Sequence, residues 1–146
     1  MAPANVIFRG PTERQPHTIS LPVSGALKPG VFVEATATEL VVLTTANGKN
    51  PRLLTNRDFY GQTVEDAYTD GDTGLGYKIE PTFDFLARVA AATYAINDPL
   101  TIGANGYLKA AAAGDVVVAH FTGVAGAKSA GDLVDVTIAN SYVVQA

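Results

Sequence analysis

Apolar and polar positions alternate along the chain in short runs, broken by glycine, proline, asparagine and aspartate at intervals that suit strands and turns. The stretch GVFVEATATELVVLTT, residues 30–45, is rich in β-branched residues and fenced by Pro29-Gly30 and Asn47-Gly48. Val31 and Val33 alternate there with Phe32 and Glu34, which predicts two strands joined near Thr36 to Glu39. In TFDFLARVAAATYAINDPL two signals compete. Alanine and leucine favour a helix, whereas Phe83, Phe85, Ala87 and Val89 recur at the strand period. The period decides for a strand over 83–89, with Asn97-Asp98-Pro99 ending the segment as a turn.

The segment GANGYLKAAAAGDVVVAHF, residues 103–121, raises a choice between a phosphate cradle and a hairpin. It lacks the glycine spacing and following helix of a dinucleotide site, and no Lys-Ser or Lys-Thr follows its glycines. Asn105-Gly106 between two apolar runs is instead the signal of a type I′ hairpin turn, whose central residues both take positive φ. AGDVVVAH at 113–120 is echoed seventeen residues later by AGDLVDVT at 130–137, each a Gly-Asp turn leading into a strand. Two copies predict neighbouring strands of a meander rather than a solenoid.

Two segments depart from this pattern. Residues 50–81 are the most polar and least periodic, with Phe59, Tyr60, Tyr68 and Tyr77 set beside Arg57, Asp58, Asp66 and Lys78. A stretch so long predicts a folded loop with a function, containing a short helical turn around Thr63 to Tyr68 and a strand around Gly76 to Glu80. Residues 1–17 carry Pro3, Pro11 and Pro16 and predict an extended arm apart from the packed core, followed by one β-rich domain over 18–146. The arm is either a frayed terminus or a segment that orders against a neighbouring subunit, the second reading resting on Val6, Ile7 and Phe8.

Composition narrows the ligands. Hydrophobic residues make up 47% of the chain and charged residues only 16%, a thin charge that leaves surface for partners to cover. The net charge is −4 and the ten Lys and Arg are scattered singly, so nucleic acid is not an expected ligand. Without cysteine there are no disulfides, thiolate metal sites or thiol nucleophiles. No run reaches the roughly 18 apolar residues of a membrane helix, and the first residues lack a signal-peptide pattern, so no membrane association and synthesis in the cytoplasm are expected.

A search for catalytic chemistry yields little. Asp70 and Asp72 in DGDTGLG start like a calcium loop, but Gly74 falls on a ligand position and Glu80 is one residue out of place. Ser20, Ser24, Ser129 and Ser141 lie outside any Gly-x-Ser-x-Gly elbow, and Glu65 and Asp66 are adjacent in a loop. His120, between Ala119 and Phe121, is expected to be a packed or interface histidine. The expectation is no enzyme, no catalytic or metal residues and no cofactor.

The order of segments SLPVSGALKPGVFVE, RLLTNRDFYGQTVEDAYTDGDTG, FLARVAAATYAINDPLTIGANGYLKAAAAGD and GDLVDVTI resembles the small head decoration, or cement, proteins of tailed bacteriophages over about residues 18–138. Its most specific part is Tyr60 to Tyr68 followed by Gly71-Asp72, with Asp98-Pro99-Leu100-Thr101 and Asn105 to Lys109 similar to the family's hairpin. The resemblance implies a mainly β fold, a small β-barrel or β-tulip module with an extended N-terminal arm and at most one or two short helical turns. It further implies a virion protein on the outer surface of an expanded icosahedral capsid. The expected partners are the major capsid protein and further copies of itself, as a homotrimer or a dimer. Under that reading Val6, Phe8, Arg9, Arg14 and His17 of the arm would reach a coat subunit or sister copy, and Arg57, Asp58, Phe59, Tyr60 and Tyr68 would form a second contact surface. The alternative is a carbohydrate-binding β module of a tail fibre or adhesin, with tyrosine standing in for the tryptophan the chain lacks.

Overall fold

The computed structural model describes residues 7–11, 13–46, 51–57 and 60–145, and these are mainly β, with 48% of the described residues in strands. Among the described residues there is no helix and one 3-10 turn. A first sheet contains β1 (Phe8–Gly10), β7 (Asp84–Val89), β9 (Pro99–Ile102), β10 (Leu108–Ala110), β11 (Val116–Phe121) and β13 (Asp132–Val143). Its order is β1-β7-β10-β9-β11-β13, and β13 also pairs with β7, so the sheet curls into a nearly closed ring. A second sheet contains β2 (Thr18–Pro22), β3 (Phe32–Ala35), β4 (Leu40–Val42), β5 (Pro51–Thr55) and β6 (Thr73–Lys78) in the order β2-β6-β5-β3-β4. A parallel bridge from Val23 to Leu40 ties its two ends together. The remaining strands, β8 (Ala92–Tyr94) and β12 (Gly126–Lys128), form a separate antiparallel ribbon.

Register explains where the core sits, because residues directly opposite each other share a face of the sheet. Phe85 pairs with Val136 and Ala87 with Val134, while Val136 also pairs with Phe121. Ala119 pairs with Ile138 and with Leu100, and Leu108 with Ile102 and Val89. All of these side chains are buried in one cluster, so the alternation in sequence becomes the inner face of the ring. Residues of β3 and β5 serve two cores. Phe32 and Leu53 join the first cluster, whereas Val31, Val33 and Leu54 join a second one with Val23, Leu40 and Tyr68. This is why Val31, Phe32 and Val33 are consecutively apolar: both faces of that strand are covered.

One turn design recurs four times, over residues 69–72, 95–98, 112–115 and 129–132. In each, the fourth N–H donates to the first carbonyl, at 2.9, 3.1, 3.0 and 3.1 Å respectively. The fourth residue is always aspartate, and its Oδ2 accepts the first N–H at 3.0, 2.8, 2.9 and 2.9 Å. The third residue has positive φ and is Gly71, Asn97, Gly114 or Gly131, the residue types that tolerate it. These turns launch β6, β9, β11 and β13, and the Gly-Asp echo in the sequence is the last two of them. The hairpin at Asn105-Gly106 also forms as expected. Tyr107 N donates to Ala104 O at 3.1 Å, with φ of 62° and 73° at the two central residues, between paired β9 and β10.

Three expectations are corrected. Ile7 is fully buried, and Phe8 lies 5.7–6.1 Å, ring centre to ring centre, from Tyr77, Phe83 and Phe85. Residues 7–10 therefore add a strand to the chain's own first sheet, because β7 has an open edge and Phe8 finds an aromatic pocket there. The segment Thr63 to Tyr68 forms turns and bends, not a helical turn. The strand expected from Gly76 to Glu80 starts earlier, at Thr73, launched by the turn at 69–72.

Candidate functional site

The polar loop after β5 is folded by buried side-chain amides rather than by regular secondary structure. Asn56 Nδ2 donates to Gln62 O at 2.8 Å, and Gln62 reaches both ways, its Oε1 accepting Arg57 N at 2.7 Å and its Nε2 donating to Asp66 O at 3.0 Å. Asp66 Oδ2 accepts Thr63 N at 2.9 Å. Both amides are buried, so they supply the partners that a sheet ladder would otherwise give the backbone. The loop is thereby held against the second sheet, and Tyr68 N donates to Leu27 O at 2.8 Å.

Two of the expected contact residues meet on this loop. The Arg57 guanidinium lies 5.2 Å from the Tyr60 ring centre and 5.0 Å from that of Tyr68, between two aromatic faces, and pairs with Asp72 at 3.4 Å. Tyr60 is 73% exposed and borders a shallow cleft with Ser20, Arg57, Thr73 and Leu75. Tyr68 is placed differently from expectation. It is buried in the second core, its hydroxyl donating to Thr55 O, and burial raises its pKa above the usual 10.0. Its side chain braces Arg57 from within and offers no surface to a partner. Asp58 and Phe59 lie outside the described residues, as does Val6.

The arm residues divide between two surfaces. His17 immediately precedes β2, its carbonyl accepting Lys78 N at 2.8 Å, and Arg14 pairs with Glu80 at 3.1 Å while lying 5.3 Å from the Phe83 ring centre. Both are exposed, and β2 pairs with β6, the strand that carries Thr73 and Leu75 beneath Tyr60. Arg14 and His17 thus lie at the Lys78 end of the β2–β6 pair, and Arg57 and Tyr60 lie beside its Ser20, Thr73 and Leu75. Arg9 goes elsewhere, to the outer face of the first sheet, where its Nε donates to Asp135 Oδ1 at 3.0 Å. Phe8 is partly buried in its aromatic pocket.

The other candidate groups are engaged locally. Asp70 Oδ1 accepts Gly25 N at 2.8 Å from the β2–β3 connection and Asp72 closes the turn at 69–72, so the two carboxylates that begin like a calcium loop act as acceptors for backbone N–H groups. Among the described residues no three His, Asp or Glu side chains are grouped to hold a metal. His120 is half-buried on β11 and shares a 2.7 Å hydrogen bond with the Tyr142 hydroxyl.

The residue with the most consequential set of partners was not singled out by the sequence. Arg88, only 4% exposed, donates from Nε to Pro29 O at 2.7 Å, from Nη1 to Gly131 O at 2.7 Å and from Nη2 to Val64 O. Glu65 lies 3.6 Å from Nη2. One guanidinium thus joins the β2–β3 connection, the polar loop and the turn before β13. The available signal was an arginine set among apolar residues, Phe85, Leu86, Ala87 and Val89, in a strand opened by Asp84.

No protein-family model matches the chain, and no curated protein matches its sequence.

Proposed function

We propose that this protein is a structural virion component that binds the outside of an expanded phage capsid and stabilises the coat lattice, through the surface around β2, β6 and Tyr60. The observation that carries this reading is the braced Tyr60–Arg57 pair: a largely exposed tyrosine stacked on an arginine fixed by Asp72 and Tyr68. Tyrosine and arginine dominate binding energy at protein interfaces, and a pre-fixed arginine loses less side-chain entropy on docking. The resemblance of the segment order to that of head decoration proteins supports the same reading. Binding only the assembled shell stabilises it by mass action, and many copies on a lattice let modest contacts of about 1,200–2,000 Å² act together.

The test is co-sedimentation of the purified protein with expanded and unexpanded heads of the phage that encodes it. Occupancy on expanded heads alone is expected, with Tyr60→Ala lowering affinity at least about tenfold, a typical cost for a tyrosine hot spot. Equal binding to both head forms, or to neither, would overturn the reading. Full occupancy by Tyr60→Ala would remove this surface from it. Deleting residues 2–6 tests the arm, since deletion through residue 16 would also strip Ile7 and Phe8 from the core.

A further inference from the structure

The outer face of the first sheet carries a second arrangement, on a different surface from the one proposed to meet the shell. Register places Gly10, Asp84, Thr137, His120 and Pro99 in one row across five strands, β1, β7, β13, β11 and β9. Thr122 lies beside Asp135, its N–H donating to Asp135 O at 3.0 Å. Arg9, Asp84, Thr122, Asp135 and Thr137 line an open cleft of about 460 Å³, within the size range of small-ligand sites. Next to Thr137 in the row, outside the cleft lining, His120 forms an aromatic step. The Tyr142 and His120 rings stack at 5.7 Å with planes 26° apart, and Tyr142 is 44% exposed.

The lining is held ready in pairs. Arg9 donates to Asp135 Oδ1 at 3.0 Å, and Thr137 Oγ1 donates to Asp84 Oδ1. Each carboxylate uses its Oδ1 in this way and has a second oxygen as further acceptor capacity, while Arg9 and the two threonines add further donors and acceptors. Such an array of fixed carboxylate oxygens, hydroxyls and guanidinium N–H groups beside an exposed aromatic face complements a molecule with many hydroxyls, each both donor and acceptor, and an apolar ring face. Charge narrows the class. Two carboxylates against one guanidinium, on a protein of net charge −4, disfavour phosphate, uronate and sialate groups. The geometry points to a binding cleft for a neutral oligosaccharide, with Tyr142 as the stacking platform and Asp84 and Asp135 as hydroxyl acceptors.

The test is titration of the full chain, followed by amide NMR and calorimetry, with maltohexaose, cellohexaose and chitohexaose, and with a sialic acid hexamer as the acidic control. Saturable binding of at least one neutral chain is expected, with shifts centred on Thr122, Asp135, Thr137, His120 and Tyr142. Tyr142→Ala and Asp84→Asn should each weaken it at least about tenfold, the loss of one good contact, with an unchanged melting temperature. Absence of binding by all three neutral chains at 10 mM-range concentrations (about 10 mM, far above a weak lectin-type Kd) would overturn the proposal. So would binding of the acidic chain alone, or full affinity in both variants. Tyr60→Ala should bind the sugar normally and Tyr142→Ala should occupy heads normally, so either proposal fails without the other.

Discussion

The two sheets reach stability by different routes. In the first, β9, β10, β11 and β13 follow one another with only the short β12 between the last two, and three of the four Gly/Asn-Asp turns lead directly into β9, β11 and β13. Each turn closes its own hydrogen bonds within four residues. The second sheet is interrupted by the polar loop between β5 and β6, and its packing against the first depends on groups far apart in sequence. Arg88 donates to Pro29 O across 59 residues and to Gly131 O across 43. Strands launched by separate local turns are expected to lose little with any one turn, whereas at the junction, beside the packing of Phe32 and Leu53 in the first core, one buried cation serves three connections at once.

The sharpest way to break this contrast is Arg88→Ala. It leaves three carbonyls without their donor, and a loss of about 3–5 kcal/mol is expected, the range for removing one partner of a buried charged network. Urea denaturation measures it, and Arg88→Lys should restore little because one ammonium cannot span three carbonyls in different directions. Retention of wild-type stability by Arg88→Ala would mean that the two sheets do not rely on this junction. Next comes Ile7→Ala, expected to cost about 2–4 kcal/mol as a large-to-small change in the core, and so to show that β1 belongs to the first sheet.

Gly106→Ala sharpens the comparison at a local turn that also makes a tertiary contact. A Cβ there would lie 2.7 Å from Phe32 O, at a φ of +73°, so about 1–3 kcal/mol should be lost. Asp115→Ala and Asp132→Ala are smaller, about 1 kcal/mol each for one carboxylate–amide hydrogen bond at an exposed turn. Their double variant should be close to additive if the turns act independently.

The smallest effect is on the alkaline side. The folded state holds the Tyr68 hydroxyl protonated to a higher pH than the unfolded chain does, because burial disfavours the phenolate. Its contribution is therefore constant below the unfolded pKa near 10 and is lost as pH rises from there towards the folded pKa. Tyr68→Phe should give up about 1 kcal/mol at neutral pH with the Thr55 hydrogen bond, and show a flatter decline above pH 10 in a pH-resolved melt.

Legibility followed the range of the interaction. Strand 83–89, the pair at 30–45 and the Asn105-Gly106 hairpin were readable because period and turn chemistry are properties of adjacent residues. The recurrence of the Gly-Asp turn was half visible: two copies share AGD, while Thr69-Asp70-Gly71-Asp72 and Ala95-Ile96-Asn97-Asp98 share only the left-handed third residue and the closing aspartate. At the candidate surface, Arg57 and Tyr60 were readable as an aromatic and charged pair. Tyr68 looked the same in sequence and turned out to be core, since nothing local distinguishes a tyrosine whose hydroxyl finds a buried carbonyl from one facing water.

The amino-acid order by itself determined a mainly β chain, the positions of several turns and the absence of thiol chemistry, because these depend on backbone preferences and residue types a few positions apart. Only the tertiary structure decided that residues 7–10 complete the first sheet, that Arg88 joins three connections, and that Arg9 and Tyr60 belong to different surfaces. Those outcomes are set by which side chains the closing sheets bring within hydrogen-bonding and packing distance, and that proximity has no trace in spacing along the chain.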